Sequence, residues 1–216
     1  MARVSVLMSC HDTGRWLQEA LDSLPWDMSG LEVWLTANGH DDVPAVAKAE
    51  TPIPIHKLYR DETFTLSASL NMMLCYATAP FVMRLDCDDK LPAGALETML
   101  EAAETAPRPR IIYGGWIDFG DHERAVAAKP LSQVATICPG ADNLLIDTRL
   151  AREIGGWEEI GYEDWHLYAK LSRYPGLTAV MLDRPTLLHR VRPGSRYAQM
   201  VANNAAHIAA IREALA

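Results

Sequence analysis

The first half of the chain alternates short apolar runs with segments of helical periodicity, and this order constrains the fold more than any other feature. Four runs have the length of buried strands, namely residues 4–8, 31–35, 55–59 and 81–85. Apolar side chains recur at helical spacing over residues 16–24 and 70–77, which lie between these runs. This order predicts a parallel sheet that is covered on both faces, with a ligand site at the carboxyl ends of its strands.

The second half contains shorter segments that are separated by Gly and Pro. Its pattern predicts strands at residues 111–119, 142–146, 178–182 and 186–191. It also predicts helices over residues 163–174 and in the Ala-rich tail from Tyr197. Since we find no repeat, low-complexity segment or linker, we expect one domain over residues 1–216, in which the second half extends the same sheet.

Composition and charge exclude several classes of protein. With 216 residues, 49% of them apolar and 22% charged, the chain can bury its own core, unlike a disordered tail or a disulfide-stapled miniprotein. A formal net charge of -8 argues against a surface for non-specific nucleic-acid binding, although a local basic groove is still allowed. The 4 cysteines form no CxxC pair, so neither a zinc ribbon nor a disulfide framework is expected.

No segment predicts secretion or membrane insertion. The apolar run near the amino terminus is too short for the core of a signal peptide. The charge-free run of residues 63–83 has the length of a bilayer span, but it contains Ser67, Ser69 and Asn71 and fits a helix followed by a buried strand better. We therefore expect a cytoplasmic protein without a transmembrane segment.

Several common catalytic and phosphate-binding motifs are missing from the sequence. There is no GxxxxGK[ST] segment and no GxGxxG after the first predicted strand. The sequence also contains no HExxH and no GxSxG. A phosphate ligand would therefore have to be bound by a metal ion or by arginine.

Three carboxylates follow the predicted strand of residues 81–85, at Asp86, Asp88 and Asp89. Like charges this close raise each other's pKa unless a cation neutralises them. Oxygen ligands alone favour Mg²⁺ or Mn²⁺ over zinc. The alternative is that one aspartate caps the helix that Pro92 opens, while the others are solvated loop charges.

A second acidic segment lies at the start of the helix predicted over residues 163–174. Glu163 and Asp164 follow a glycine-rich stretch that begins at Gly155. A carboxylate at a helix amino terminus beside a flexible loop can approach a substrate and act as a general base. The alternative is that both acids are present because they stabilise the helix terminus.

Together these segments resemble the inverting nucleotide-sugar glycosyltransferases of the GT-A fold, and the chain is similar to family 2 from Val4 to about Ser195. The stretch Arg84-Leu85-Asp86-Cys87-Asp88-Asp89 resembles the metal-binding DxD element. The Glu163-Asp164 pair after Gly156-Trp157 resembles the acceptor-side segment in which the Asp is the base. The resemblance implies a GT-A (Rossmann-like) mixed, mostly parallel sheet that is flanked by helices. It also implies a nucleotide-sugar-binding half over 1–105 and an acceptor-binding half over 106–216.

The same resemblance assigns the remaining site residues. For the nucleotide sugar they are Ser9, His11, Asp12, Asn38, Asn71, Arg84, Asp86, Arg190 and Arg192. Arg84 pairs either with the diphosphate or with the aspartates, and both alternatives remain open. The metal ligands are Asp86, Asp88 and the candidate His189, and the acceptor contacts are Trp157, Tyr162 and Trp165. Ala37 stands where the family commonly has an Asp that contacts the base, so we expect weak uridine selectivity.

The implied reaction is a single displacement at the anomeric carbon, with inversion of configuration. Asp164, assisted by Glu163, accepts the proton of an acceptor hydroxyl, while Mn²⁺ or Mg²⁺ offsets the charge of the departing nucleoside diphosphate. Two alternatives from other classes are a sugar-phosphate nucleotidyltransferase and a non-catalytic nucleotide-sugar-binding module. The acceptor stays open among a glycan, a lipid-linked sugar, a small molecule, a protein and a hydroxymethylated DNA base.

Overall fold

Three of the four apolar runs of the first half form strands that are buried on both faces of a sheet, whereas the run at 55–59 forms an edge strand. The computed structural model describes residues 2–60, 64–159, 162–193, 208–209, 211–213 and 215. Its strands are β1 Val4–Cys10, β2 Leu31–Asn38, β3 His56–Arg60, β4 Phe81–Arg84, β5 Arg110–Gly120, β6 Arg124–Val126, β7 Leu145–Asp147 and β8 Thr178–Val191. Its α-helices are α1 Leu17–Asp22, α2 Val43–Lys48, α3 Leu66–Tyr76, α4 Ala95–Thr105, α5 Thr148–Glu153 and α6 Glu163–Ser172.

The sheet combines a parallel block with a mixed block. In the first, β3, β2, β1 and β4 lie side by side and are all parallel. In the second, β7 pairs antiparallel with both β4 and β5, and β6 continues antiparallel to β5. Strand β8 runs parallel to β5 along nearly its whole length. The expected mixed, mostly parallel sheet in a single domain is confirmed.

Each face of the sheet carries its own apolar core, because side chains alternate along a strand. In β1, Val6 and Met8 contribute to one cluster and Leu7 to the other. Helices α1, α2 and α4 pack on the first face, and α3, α5 and α6 pack on the second. In α4 the apolar residues Leu96, Met99, Leu100 and Ala103 follow the i, i+3, i+4, i+7 spacing that buries one helix face.

The second half differs from its sequence prediction in several elements. The two strands expected at 178–182 and 186–191 form the single strand β8. Pro185 does not interrupt it, since the ladder to β5 shifts register beside this residue and Pro is tolerated at such irregularities. The strand expected at 142–146 is reduced to β7, and β6, α2 and α5 were not predicted. Most of the tail helix expected from Tyr197 lies outside the described residues.

The parallel block determines where a ligand can bind. The carboxyl ends of β1, β2 and β4 reach the same edge of the sheet, where open α/β sheets form a crevice. The amino terminus of α6 and the end of β8 also reach this crevice, since Glu163 and Arg192 line it. None of the helices in the described part of the chain combines the length and apolarity that a bilayer crossing requires.

Candidate active site

A cavity of about 590 Å³ opens at the carboxyl edge of the parallel strands. It collects side chains from loops that are far apart in the sequence. Of the residues proposed from sequence, these line it: Ser9, His11, Asp12, Asn38, Arg84, Asp86, Asp88, Glu163, Asp164, His189, Arg190 and Arg192. The described fold therefore brings the predicted metal-binding segment and the predicted base into one cavity.

Arg84, the last residue of β4, connects the acids of this cavity. Its side chain is only 5% exposed. Nε and Nη2 donate to the two carboxylate oxygens of Asp86, both at 2.6 Å. Nη1 donates to Asp164, and Nη2 lies 3.6 Å from Asp142. Arg84 thus pairs with the aspartates, and its pairing with a diphosphate stays a prediction.

The acids around Arg84 share a strongly negative and poorly hydrated site. Burial opposes the charge on Arg84, but Asp164, Asp86 and Asp142 outweigh burial and raise its pKa well above the usual range. Burial also raises the pKa of Asp164 well above its usual range, although the charge of Arg84 acts in the opposite direction. The pKa of Asp142 is raised by burial to about 7. Negative charge on these acids is therefore energetically unfavourable, and a bound cation could offset it.

Three carboxylates are arranged closely enough to bind one metal ion. Among the described residues, Asp86, Asp89 and Asp142 offer oxygens that all lie within 4.8 Å of one another. Burial and the neighbouring acids raise the pKa of Asp89 well above its usual range. Oxygen donors with surplus negative charge fit Mg²⁺ or Mn²⁺. Asp88 lies outside this group, and its Oδ2 accepts from Arg192 Nε at 3.1 Å.

Charge is unevenly distributed over the cavity wall. Its carboxylates are Asp12, Asp86, Asp88, Asp89, Asp142, Glu163 and Asp164. Its guanidinium groups are Arg84, Arg190 and Arg192. Because like charges at short range cost free energy in a partly desolvated site, this excess of acids favours a bound cation.

The end of β8 is joined to the loop that carries the three aspartates. The backbones of Lys90 and Leu188 exchange two hydrogen bonds, of 3.0 and 2.8 Å. The amide of Arg190 donates to Asp89 Oδ1 at 2.7 Å, and its Nε donates to the carbonyl of Asp88 at 2.8 Å. These bonds place His189, whose Nδ1 lies 2.8 Å from Asp118 Oδ1, on the same cavity wall as the aspartates.

Hydrogen bonds between side chains and the backbone hold the first two loops at this edge of the sheet. The amide of Asp12 donates to Asp42 Oδ2 at 3.1 Å, which supports a left-handed φ of 55° at Asp12. The Asn38 side chain exchanges two hydrogen bonds with the backbone of Phe64, each of 2.7 Å. Asn38 thus lines the cavity while its amide anchors the segment that precedes α3.

The structure places Ala37 in the apolar core, and the weak uridine selectivity expected from the sequence stays a prediction. This residue is fully buried, and its side chain faces the apolar cluster beside Cys10. A side chain at this position does not line the cavity, so Ala37 does not by itself indicate the base preference of the site.

Because its environment is apolar, Ala37→Asp should destabilise the fold. A carboxylate introduced there would lack a buried partner, and we expect a loss of about 3–5 kcal/mol in the free energy of unfolding. Urea denaturation measures this loss, with Ala47→Asp on the exposed side of α2 as the matched control. An Ala37→Asp variant as stable as the control would show that residue 37 faces solvent or the ligand.

Four residues assigned to substrate contacts do not line the cavity. Asn71 Nδ2 donates to the carbonyl of Trp157 at 2.7 Å, and Asn71 Oδ1 accepts from the Trp157 amide at 2.9 Å. The Asn71 side chain therefore stabilises this loop and does not line the cavity proposed for the nucleotide sugar. Trp157 is 3% exposed within the core. Trp165 is 5% exposed, and its Nε1 donates to the carbonyl of Val134. Tyr162 packs edge-on against Trp165. The acceptor contacts proposed for these aromatic residues stay predictions that this cavity does not support.

The cap proposed for the DxD aspartates is also absent. The helix after them begins at Ala95, and its N-cap is Gly94 with a φ of 72°. No side chain caps it, and Pro92 lies in the preceding turn. The aspartates therefore face the cavity instead of a helix terminus.

Sequence reasoning missed Asp142, which lines the cavity, and Asp118, which contacts the cavity residue His189. Asp142 is an isolated acid in the loop before β7, and no spacing rule connects it to Asp86. Asp118 lies within β5, where an acid in an apolar run is the only signal. Such a signal identifies a buried charge but not its partners.

A family model described as glycosyl transferase family 2 matches residues 5–147. The chain belongs to glycosyl transferase family 2. No curated protein sequence matches the chain.

Solved structures agree with this family membership at the level of the fold. TarS 1-349 from S. aureus in complex with UDP-GlcNAc superposes with a TM-score of 0.70 at 15% identity, covering 91% of this chain and 60% of that one. The mannosyltransferase PcManGT from Pyrobaculum calidifontis, in complex with GDP-Man and Mn²⁺, superposes with a TM-score of 0.68 at 18% identity. The match covers 93% of this chain and 60% of that one. This chain thus covers 60% of each of these two crystallised chains, and the GT-A fold expected from the sequence is confirmed.

Proposed function

We propose that this family 2 chain is a cation-dependent, inverting glycosyltransferase that uses a nucleoside-diphosphate sugar. The observation that carries the proposal is that Asp164 shares one cavity with the carboxylate group of Asp86, Asp89 and Asp142. A base in the cavity can accept the proton of an acceptor hydroxyl, and a bound cation can stabilise the diphosphate that leaves. The two features together suit the transfer of a sugar to a hydroxyl group. The donor classes in the two similar structures, UDP-GlcNAc and GDP-Man, support a nucleotide sugar.

In this mechanism Asp164 accepts the proton of the acceptor hydroxyl while the anomeric carbon inverts. Arg84 holds the Asp164 carboxylate in place, and its positive charge counteracts the burial that raises the pKa of this base. Glu163, 4% exposed and next in the chain, supports the helix terminus that carries the base. A divalent cation bound by the aspartates would supply charge stabilisation to the leaving diphosphate.

The remaining cavity residues are assigned to the donor. Arg190 and Arg192 offer guanidinium groups suited to phosphate oxygens. Ser9, His11, Asp12 and Asn38 lie at the ends of β1 and β2, on the side proposed for the nucleoside. We propose that residues 1–105 contribute most of the donor site and residues 106–216 the base and the acceptor side. The acceptor and a cytoplasmic location stay predictions.

Product analysis with a panel of nucleotide sugars tests the proposed reaction. Release of nucleoside diphosphate with a product of inverted anomeric configuration supports it. Release of pyrophosphate from a sugar phosphate and a nucleoside triphosphate would instead indicate nucleotidyl transfer. Binding without turnover of any donor would indicate a binding module.

Cation dependence gives a separate prediction. We expect Mn²⁺ affinity, measured by calorimetry with bound nucleoside diphosphate, to fall at least about tenfold in Asp86→Asn and in Asp89→Asn, because an amide cannot supply the carboxylate charge. Exposed Asp121, which does not line the cavity, provides the control Asp121→Asn. Full turnover of the wild type in the presence of a chelator would contradict the metal assignment.

A further inference from the structure

Trp16 is a partly exposed aromatic residue at the N-cap of α1. Its position at the start of the apolar pattern of residues 16–24 predicts a core side chain. Among the described residues, however, Trp16 is not one of the partly buried apolar side chains that pack against either core cluster. It does not line the cavity either. The contacts that Trp16 does make therefore indicate what its large ring is for.

Three guanidinium groups lie over the ring of Trp16. Their central carbons are 3.8 Å from the ring centroid for Arg15, 4.8 Å for Arg192 and 5.4 Å for Arg190. A cation within about 6 Å of an indole face is attracted by the negative charge of that face. Arg190 and Arg192 line the cavity, whereas Arg15 does not. The ring therefore connects the start of α1 to the two cavity arginines at the end of β8.

The two cavity arginines differ in how firmly the rest of the protein holds them. Arg190 donates from Nε to the carbonyl of Asp88 and from Nη2 to Glu19 Oε2, both at 2.8 Å, and it also lies over the ring of Phe119. Arg192 donates from Nε to Asp88 Oδ2 at 3.1 Å. Within the described part of the chain, neither Nη1 nor Nη2 of Arg192 has a hydrogen-bond partner. The indole ring is thus the second contact that fixes the guanidinium of Arg192.

We propose that Trp16 is a positioning residue that holds the guanidinium of Arg192, so that its two terminal nitrogens can bind a phosphate group of the nucleoside diphosphate. This inference rests on the donor class in the proposed function. Stacking on the ring restricts the guanidinium plane but occupies none of its N–H groups, which stay available for phosphate oxygens. A guanidinium that is already fixed loses less conformational freedom when phosphate binds, so its affinity is higher.

The first experiment measures binding of UDP and of GDP by calorimetry in the presence of Mn²⁺, without turnover. We expect Trp16→Leu to raise the dissociation constant about tenfold, and Trp16→Phe to raise it about threefold because a phenyl face attracts a cation less strongly. Trp26→Leu is the matched control and should stay within about twofold of wild type, since Trp26 packs against the core and does not line the cavity. Unchanged affinity in Trp16→Leu would overturn the inference.

The second experiment is a double-mutant cycle, which separates positioning of Arg192 from a general change in the structure. The same titrations are repeated with Trp16→Leu in an Arg192→Met background. We expect the tenfold effect of Trp16→Leu to fall to less than about twofold there, because the guanidinium that the ring holds is gone. An equal effect in both backgrounds would show that Trp16 does not act through Arg192, and it would overturn the inference.

If Trp16→Leu does not fold, Trp16→Phe alone and in the Arg192→Met background decides the inference. It then requires weaker nucleotide binding in Trp16→Phe that disappears when Arg192 is replaced. A wild type that binds neither UDP nor GDP would overturn it. Absence of sugar transfer, with nucleotide binding that depends on Trp16 through Arg192, would count only against the proposed reaction.

Discussion

Replacing Asp164 by asparagine is expected to slow sugar transfer by at least about a hundredfold, the usual contribution of general-base help. The amide cannot accept the acceptor proton, whereas the cation and donor sites keep their ligands. Steady-state kinetics should therefore show a large fall in kcat. Calorimetry should show nucleoside diphosphate and Mn²⁺ bound within about twofold of wild type.

Glu163→Gln is the neighbouring control, because it makes the same carboxylate-to-amide change one residue earlier in α6. We expect a smaller fall in kcat for this variant. A loss of nucleotide affinity in Asp164→Asn with intact turnover would place Asp164 in the donor site and contradict its role as the base.

Removal of Arg84 should have the largest effect on stability. Arg84→Met leaves Asp86, Asp142 and Asp164 facing one another without their shared cation. Breaking a buried ion pair from one side costs about 3–5 kcal/mol, and we expect a loss of this size in urea denaturation of the cation-free protein. Exposed Arg184, substituted as Arg184→Met, is the control and should change stability by less than about 0.5 kcal/mol.

Two conditions should reduce the loss in Arg84→Met. Mn²⁺ supplies positive charge to the same acids and should restore part of the stability.

Lower pH should also restore part of the stability of Arg84→Met. Burial raises the pKa of Asp142 to about 7 in the wild type, so its folded state binds a proton more readily than its unfolded state. Stability from such a group is lost as the pH rises. Since the charge of Arg84 lowers the pKa of Asp142, the variant loses more stability than the wild type over this range, and the deficit should be smaller near about pH 5 than near about pH 8. A deficit that neither Mn²⁺ nor pH changes would indicate lost packing instead.

Arg84→Lys separates charge from geometry. Lysine keeps one positive charge but cannot bond both oxygens of Asp86 and also reach Asp164 through a planar fork. We expect stability between those of the wild type and Arg84→Met, together with reduced kcat because the base is less well held.

The sequence by itself determined the parallel block and the location of its ligand edge. Hydrophobic periodicity depends on near neighbours in the chain, so β1 to β4 and α3 could be predicted from short windows. The motif acids Asp86, Asp88 and Asp164 were located in the same way, because each follows or begins such an element. Local signals were weaker in the second half, where Gly and Pro interrupt short strands and β8 passes through a Pro.

Only the tertiary structure decided which groups meet. Arg84 and Asp164 are 80 residues apart, and Asp118 and His189 are 71 apart. No periodicity links such positions, since their contact depends on strand order and register across the sheet. For the same reason Ala37 and Trp157 face the core although their motifs resemble substrate-binding segments. The sequence specified the elements and their acids, whereas burial and pairing between distant strands selected which acids form the site.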